Sequence, residues 1–402
     1  MEERRYYGFD ALRGGMMMLG ILLHGATFYL AAPPPTMPIL FDRNTSYAMD
    51  LVFHFVHSFR MPVFFVMAGF FASLLVDKRG QWGTLKNRAA RVLAPLVAGL
   101  FTVLPLTLIL FVSFMVSARY GTHDLIPDRA AAHALRLEVE AKNPEALRAS
   151  PMHLWFLLYL CYFYLLIPVA ERLSKAVKAH GEHWSTAAGS PWTFVGLCTA
   201  TAALLWPYRG GQVHEGFLFF TPHLPSLLYY GAFFLLGYLL NGARWIGHLR
   251  LGHPGIYLAI GLASFPLATY VSAIDQQLLP RVLHVHLLSV LVNALCTWAW
   301  IYFFTASALK YFDRPSSWAL YVSQSSYWVF LIHMPLLGFI CWAMALQDWP
   351  ALIKFGVAVS FTTVCAFASY HYLIQQSWVS VFLNGKRFDM DWPWRAQELP
   401  RA

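Results

Sequence analysis

Arginine and histidine side chains recur inside stretches of this sequence that are otherwise apolar, and their spacing limits the chemistry open to the chain. In FDALRGGMMMLGILLHGA, Arg13 and His24 are 11 positions apart. At about 100° per helical residue both face one way, separated by about 16 Å along the axis. Gly14 and Gly15 permit close approach by a neighbouring helix or a ligand. The plain alternatives are a snorkelling Arg13 paired with Asp10, and a His24 that bonds another helix. In MDLVFHFVHSFRMPVFFVMAGFF, His54, His57 and Arg60 follow at i, i+3 and i+6, roughly one face. An Arg at the centre of a bilayer costs about 2.5–3.5 kcal/mol. No Asp or Glu lies at mid-depth in any predicted span, so a polar cavity that takes an anionic ligand explains Arg60 better than a salt bridge. Pro62 bends the helix and frees a carbonyl nearby. Asp50, at the other end of the segment, is placed to pair with a His.

An imidazole can take a proton from a hydroxyl near neutral pH, and guanidinium forks grip phosphate or carboxylate oxygens. Arg88 and Arg91 form an Arg-x-x-Arg pair expected on one helical face before Pro95; it is either a positive anchor or a phosphate site. MHLWFLLYL places His153 beside Trp155, a ring able to stack on a sugar or to anchor at the interface. In SYWVFLIHMPLL, His333 lies about 21 Å into its span, the depth of His24. His284 and His286 read as interfacial and His371 as structural. The expected result is two layers: Arg at one mouth, and His24, His54, His57, His153 and His333 in the opposite half with Arg60 between. The spacing matches no compact metal site, so no metal is expected.

The elements that must hold these groups are transmembrane helices. Of the 402 residues, 58% are hydrophobic and only 12% charged, half the usual charged share; mean hydropathy is +0.50. This excludes disorder, fibrous repeats and an ordinary soluble enzyme. The predicted fold is all-α, a polytopic membrane protein of about ten helices around a central polar cavity. The spans are 12–32, 49–76, 92–116, 151–170, 191–207, 225–243, 254–273, 282–307, 319–345 and 352–374. One membrane domain then fills 1–374, and 375–402 is a cytoplasmic tail. Most of the 29 Lys and Arg fall on one side of these spans, among them Arg4, Arg5, Arg244, Arg250, Arg395 and Arg401. That bias sets both termini in the cytoplasm. Segment 117–150, with Pro127, Pro144 and Arg148, should form short helices on the outer surface. Arg60 and Lys354 stay within spans. The start is not read as a cleaved signal, because the apolar run is long and holds Arg13 and His24. The five Cys fall in apolar stretches without metal or redox spacing and read as packing residues. The net charge of +9 is mostly orientation signal, and no nucleic-acid partner is expected.

FDALRGG with His24, HSFRMPVFFVMAGFF, the Arg88–Arg91 pair, HLWFLLYL and FLIHMPLL occur in this order and resemble the integral membrane acyltransferases that O-acylate exported sugars. HSFRM, HLWFLL and FLNGK are most similar to the branch that succinylates osmoregulated periplasmic glucans in Gram-negative bacteria. The resemblance implies an acyl-CoA donor, succinyl-CoA or another acyl-CoA, as a co-substrate with no permanently bound cofactor. It also implies a periplasmic glucan acceptor, an inner-membrane location, contact with lipid and partners in glucan synthesis. Arg13 and His24 match the family's essential Arg and His, Arg88 and Arg91 its donor-side pair, and His333 a family His. That branch has Gln where this chain has Pro62.

The expected reaction has His24 as general base for a sugar hydroxyl, or alternatively as an acyl-carrying nucleophile. Arg60 would stabilise the oxyanion or grip a succinyl carboxylate. His57, His153 and Trp155 would line the acceptor side. The rival readings are a transporter or flippase for an anionic or acylated carbohydrate, and a scaffold for glucan synthesis. The missing inverted repeat and mid-membrane carboxylates weigh against the first, and Arg60 against the second.

Overall fold

The computed structural model describes residues 6–34, 41–142, 149–179, 190–213, 220–242, 251–278 and 281–388. Arg4, Arg5, Pro144, Arg148, Arg244, Arg250, Arg395 and Arg401 lie outside them.

Helix α1 (Tyr7–Ala26) runs into a 3-10 turn at Thr27–Tyr29. Helix α2 (Tyr47–Arg88) starts at Ser46, whose hydroxyl accepts the Ala48 N–H. It passes through Pro62 and breaks at Gly80, where φ is 69° and ψ 171°, a conformation that favours glycine. The connection between the second and third expected spans is therefore helical apart from this one residue. A π-helical turn at Ala89–Leu93 follows, then α3 (Ala94–Phe101) and α4 (Val103–Tyr120). The expected surface helix is α5 (Arg129–Lys142), which lays Leu135 and Val139 against Val116 of α4. Helices α6 (Trp155–Leu165) and α7 (Ile167–Ala179) are bent by 59° to each other, and Pro168 lies at that break. Then come α8 (Pro191–Leu205), α9 (Leu224–Gly242), α10 (Pro254–Gln277), α11 (Leu283–Tyr311), α12 (Ser317–Ala343) and α13 (Ala351–Ser369). A short helix, α14 (Trp378–Asn384), closes on Gly385 with φ 89°. The segment expected to be a plain tail thus begins with a helix that docks on the bundle.

Among the described residues, seven helical segments are long and apolar enough to cross a bilayer, and the bent α6–α7 pair makes an eighth if it is one span. Helices α8 and α9 are apolar but shorter. The ten expected spans fall on helical segments, and a count of ten depends on those two and on the bent pair being one span. Outward-facing apolar groups such as Phe101 and Leu108 fit contact with lipid tails.

Close packing comes from glycines set against backbone. A Cβ on Gly69 of α2 would meet the Phe234 carbonyl oxygen at 1.9 Å, and one on Gly237 of α9 would meet that of Val66 at 1.9 Å. Helix α1 packs on α12 through Gly14, whose Cβ would lie 2.8 Å from a Val322 methyl, whereas Gly15 faces open space. The core between α2, α6 and α9 is aromatic: Phe65, Trp155, Tyr159, Phe163 and Tyr230 stack within 6.2 Å of one another's centroids. Each such pair adds about 0.5–1.5 kcal/mol beyond its area.

Carboxylates are buried near the helix ends, not in the middle of the long apolar helices. Lys354 forms a 2.7 Å ion pair with Asp42, and both side chains are almost wholly buried. Asp50 accepts the N–H groups of Ala31 and Ala32 at 3.1 and 3.0 Å, so its acceptors hold the turn after α1. His286 is fully buried, not interfacial; it bonds Asp275 at 2.8 Å and the Trp206 carbonyl at 3.0 Å. A buried imidazole with both nitrogens bonded carries no desolvation penalty of an unpaired polar group, which is why an apolar setting tolerates it.

Candidate active site

Helices α1 and α12 run parallel, which places their polar residues at two matching levels. At one level Arg13 donates to the Ser323 carbonyl at 3.2 Å and to its hydroxyl, and that hydroxyl donates to Asp10 at 3.0 Å. Asp10 also pairs with Arg13 at 3.4 Å. At the other level the rings of His24 and His333 have centroids 5.2 Å apart. The interval from Ser323 to His333 nearly equals that from Arg13 to His24, as parallel helices of equal rise require.

Arg60 enters between these levels from α2. Its Nε donates to the Met16 carbonyl at 2.9 Å, and its guanidinium lies 5.4 Å from the Phe64 ring. A Cβ on Gly20 would meet Arg60 Nη2 at 2.2 Å and Cζ at 2.7 Å. The guanidinium therefore fills the place of a side chain at residue 20. Residues 20 and 24 are about one helical turn apart on the same face, so the Arg60 charge lies about 6 Å below His24 along α1. It makes no ion pair among the described residues. A side chain this buried, 4% exposed, without a counter-charge is kept for a reason other than stability.

Two prolines prepare the site by withholding an N–H. Pro335 cannot bond the Leu331 carbonyl four residues back, and His153 Nε2 donates to that oxygen instead, at 3.2 Å. Pro62 likewise leaves the Ser58 carbonyl open, and the Thr297 hydroxyl donates to it at 2.8 Å. His153 follows Met152, which has φ 46°, a left-handed conformation uncommon for such a residue. Its ring stands edge-on to that of His333, centroids 5.4 Å apart and planes at 82°. His333 Nδ1 donates to the Phe330 carbonyl at 2.7 Å, with the Val329 carbonyl at 3.2 Å. His57 Nε2 donates to the Val213 carbonyl at 2.9 Å while its ring stacks on Phe53.

The structure thus brings together His24, His333, His153 and Arg60, with Arg13 at the far level and His57 farther along α2. It separates others. Trp155 is 6% exposed and packed on Phe65, Tyr159 and Tyr230, so it offers no open face to a sugar. The Arg88–Arg91 pair does not share a face, because the π-turn at Ala89–Leu93 changes the helical spacing. Arg88 lies 5.2 Å from the Tyr164 ring. Arg91 donates to the Val381 and Phe382 carbonyls at the end of α14, the latter at 2.8 Å. Gly20 was not among the glycines expected to matter; the usable signal was its position four residues before His24.

Among the described residues no group of three His, Cys, Asp or Glu is arranged to hold a metal ion. What the cluster can do is move a proton through an imidazole next to a fixed positive charge, among side chains that are mostly buried. That combination suits acyl transfer, in which a hydroxyl loses a proton as a carbonyl oxygen gains charge.

Comparison with known proteins agrees. Residues 6–371 match the acyltransferase domain family (acyltransferase family three). Glucans biosynthesis protein C of Escherichia coli K12 is 31% identical over 100 residues, 25% of each chain. The protein of the same name from Escherichia coli O6:K15:H31 is 31% identical over 168 residues, 40% of this chain and 37% of that one. The chain therefore spans well under half the length of these relatives in the matched regions. No solved structure matches. With a match that covers nearly the whole chain and a bundle of membrane-length apolar helices, this all-α protein is a multi-pass membrane protein and belongs to the acyltransferase domain family.

Proposed function

We propose that this acyltransferase moves an acyl group, succinyl for preference, from acyl-CoA to a hydroxyl of a carbohydrate on the opposite side of the bacterial inner membrane. The observation that carries the reading is the group at one level of the bundle: His24 and His333 within 5.2 Å and the Arg60 guanidinium one turn below. His24 takes the proton of the acceptor hydroxyl as its oxygen attacks the thioester carbonyl. Arg60 faces the negative charge that develops on the carbonyl oxygen. The C–S bond then breaks, and the thiolate of CoA leaves with the proton that His24 returns.

The Arg13 level is the donor side. A pantetheine arm reaching along α1 covers the roughly 16 Å between Arg13 and His24. Arg88 is the better candidate of its pair for a CoA phosphate, since Arg91 holds α14. The distant similarity to glucans biosynthesis protein C supports a glucan acceptor, and the spare charge of Arg60 favours an acyl group that carries its own carboxylate. The excess of Lys and Arg on the donor side supports cytoplasmic termini.

Purified protein in lipid nanodiscs, given succinyl-CoA and a periplasmic glucan, should release CoA thiol and form a glucan ester. His24→Ala should lower the rate by at least about 100-fold, the usual share of a general base. Normal turnover by that variant would end the assignment of His24.

A further inference from the structure

A base of this kind needs its imidazole, here His24, held in one protonation form. In many hydrolytic sites a carboxylate performs that task, but among the described residues none bonds His24. What lies beside it is His333, 1% exposed. His333 Nδ1 donates to the Phe330 carbonyl at 2.7 Å, and a carbonyl can only accept. Neutral His333 therefore carries its proton on Nδ1 and presents Nε2 as an acceptor. That Nε2 is buried and without a hydrogen-bond partner among the described residues, a state that is costly unless a donor reaches it. The nearest imidazole is that of His24, half-buried and with no hydrogen bond to its ring nitrogens among the described residues. With centroids 5.2 Å apart, ring edges turned toward each other would leave their nitrogens about 3 Å apart, hydrogen-bond length. The planes are tilted by 42°, so a rotation of the more exposed His24 ring makes the contact.

We propose that His333 is a positioning residue: its Nε2 accepts the N–H of His24 and leaves the other His24 nitrogen as the base. The order is backbone carbonyl, His333 Nδ1–H, His333 Nε2, His24 N–H, and the free His24 nitrogen facing the acceptor hydroxyl. A main-chain carbonyl and a neutral imidazole together replace the carboxylate, so no negative charge has to be buried beside the thioester. His153 supports this from behind. Its Nε2 holds the Leu331 carbonyl that Pro335 leaves open, and its edge packs on His333. The inference rests on the reading of His24 as the base, but its main test does not use turnover.

The test is the ¹⁵N spectrum of the full-length protein in nanodiscs, labelled at histidine and assigned with His24→Gln and His333→Leu variants. The wild type should show one neutral tautomer of His24, and His333→Leu should convert it to a mixture. His333→Gln, which restores an amide oxygen near the Nε2 position, should recover most of the single tautomer. A His24 that is a mixture in the wild type, or unchanged in His333→Leu, overturns the proposal. Activity adds a second readout. His333→Leu should lower kcat by about 10-fold or more with the KM for acyl-CoA unchanged, and His333→Gln should recover part of it. A kcat loss equal in both variants, with the tautomer unmoved, also overturns it. If the wild type keeps one tautomer that depends on His333 yet cleaves no thioester, the proposed function fails and the His24–His333 bond stands.

Discussion

Gly20 decides where the charge of Arg60 sits, because the guanidinium occupies the space of the missing side chain. An added methyl must push it off α1 and away from His24. Gly20→Ala should therefore lower kcat/KM by about tenfold or more, which corresponds to about 1.4 kcal/mol of transition-state stabilisation. Steady-state rates of Gly20→Ala, Arg60→Met and the double variant separate this from a general packing defect. In the Arg60→Met background the alanine should change the rate by less than about twofold, since nothing remains to be displaced; a full additive loss would show that Gly20 acts elsewhere. The ionisable residues were legible because polar groups in apolar sequence are costly, and one helical period relates Arg13 to His24. Gly20 was not, because a glycine announces only that something comes close. Trp155 and the Arg88–Arg91 pair were misplaced for a related reason. A Trp near a predicted span end looks interfacial until α9 covers it, and one π-turn is enough to put two arginines on different partners.

At the scale of elements, the prolines do work that a helical pattern conceals. Pro335→Ala would supply an N–H for the Leu331 carbonyl and compete with His153. A proline inside a helix costs about 3 kcal/mol, so the alanine variant should keep or raise the Tm. Its acyl transfer should nonetheless fall several-fold, as His153 loses its anchor. A variant that gains both stability and activity would remove the carbonyl from the argument. Outside the spans, α5 is tied to α4 by Glu138, which accepts from Lys142 at 3.0 Å and from Arg119 at 2.8 Å. Lys142 first, and then Arg119, hold its carboxyl below the usual value of 4.5. With the folded value depressed, the contribution is full above the unfolded value and lost as the pH falls through the folded one. Hydrogen exchange should find α5 loosening from α4 below about pH 4.5, and Glu138→Gln should remove that dependence without altering the core. Long helices were read to within a few residues because their apolar runs are unbroken. Their joints were harder: Gly80 replaces a loop with one residue, and α14 gains its place from Arg91, a contact 290 positions away in sequence.

For the whole molecule the open question is direction, since the proposed reaction needs its donor at the Arg13 level and its acceptor at the His24 level. Helix α2 fixes what must be measured. It starts at Tyr47, just after exposed Thr45, and runs past its break at Gly80 to Trp82, 68% exposed. The 32 positions from residue 47 to 79 rise about 48 Å, more than the roughly 30 Å core of a bilayer. Thr45 and Trp82 are then expected on opposite faces of the membrane. With the five native Cys replaced, Thr45→Cys in intact cells should react with a membrane-impermeant maleimide. Trp82→Cys should react only after the inner membrane is opened. The reverse pattern would put Arg13 outside and leave a CoA donor no route to it from the cytoplasm. Labelling of both residues from one face would mean that α2 does not span at all, and the parallel levels on α1 and α12 would lose their sidedness. In the expected orientation, succinyl-CoA added outside sealed right-side-out vesicles should give no glucan ester until it is loaded within, while glucan need be present only outside. That separation of donor from acceptor requires the acyl group to cross along α1 between Arg13 and His24, which a soluble transferase has no reason to provide.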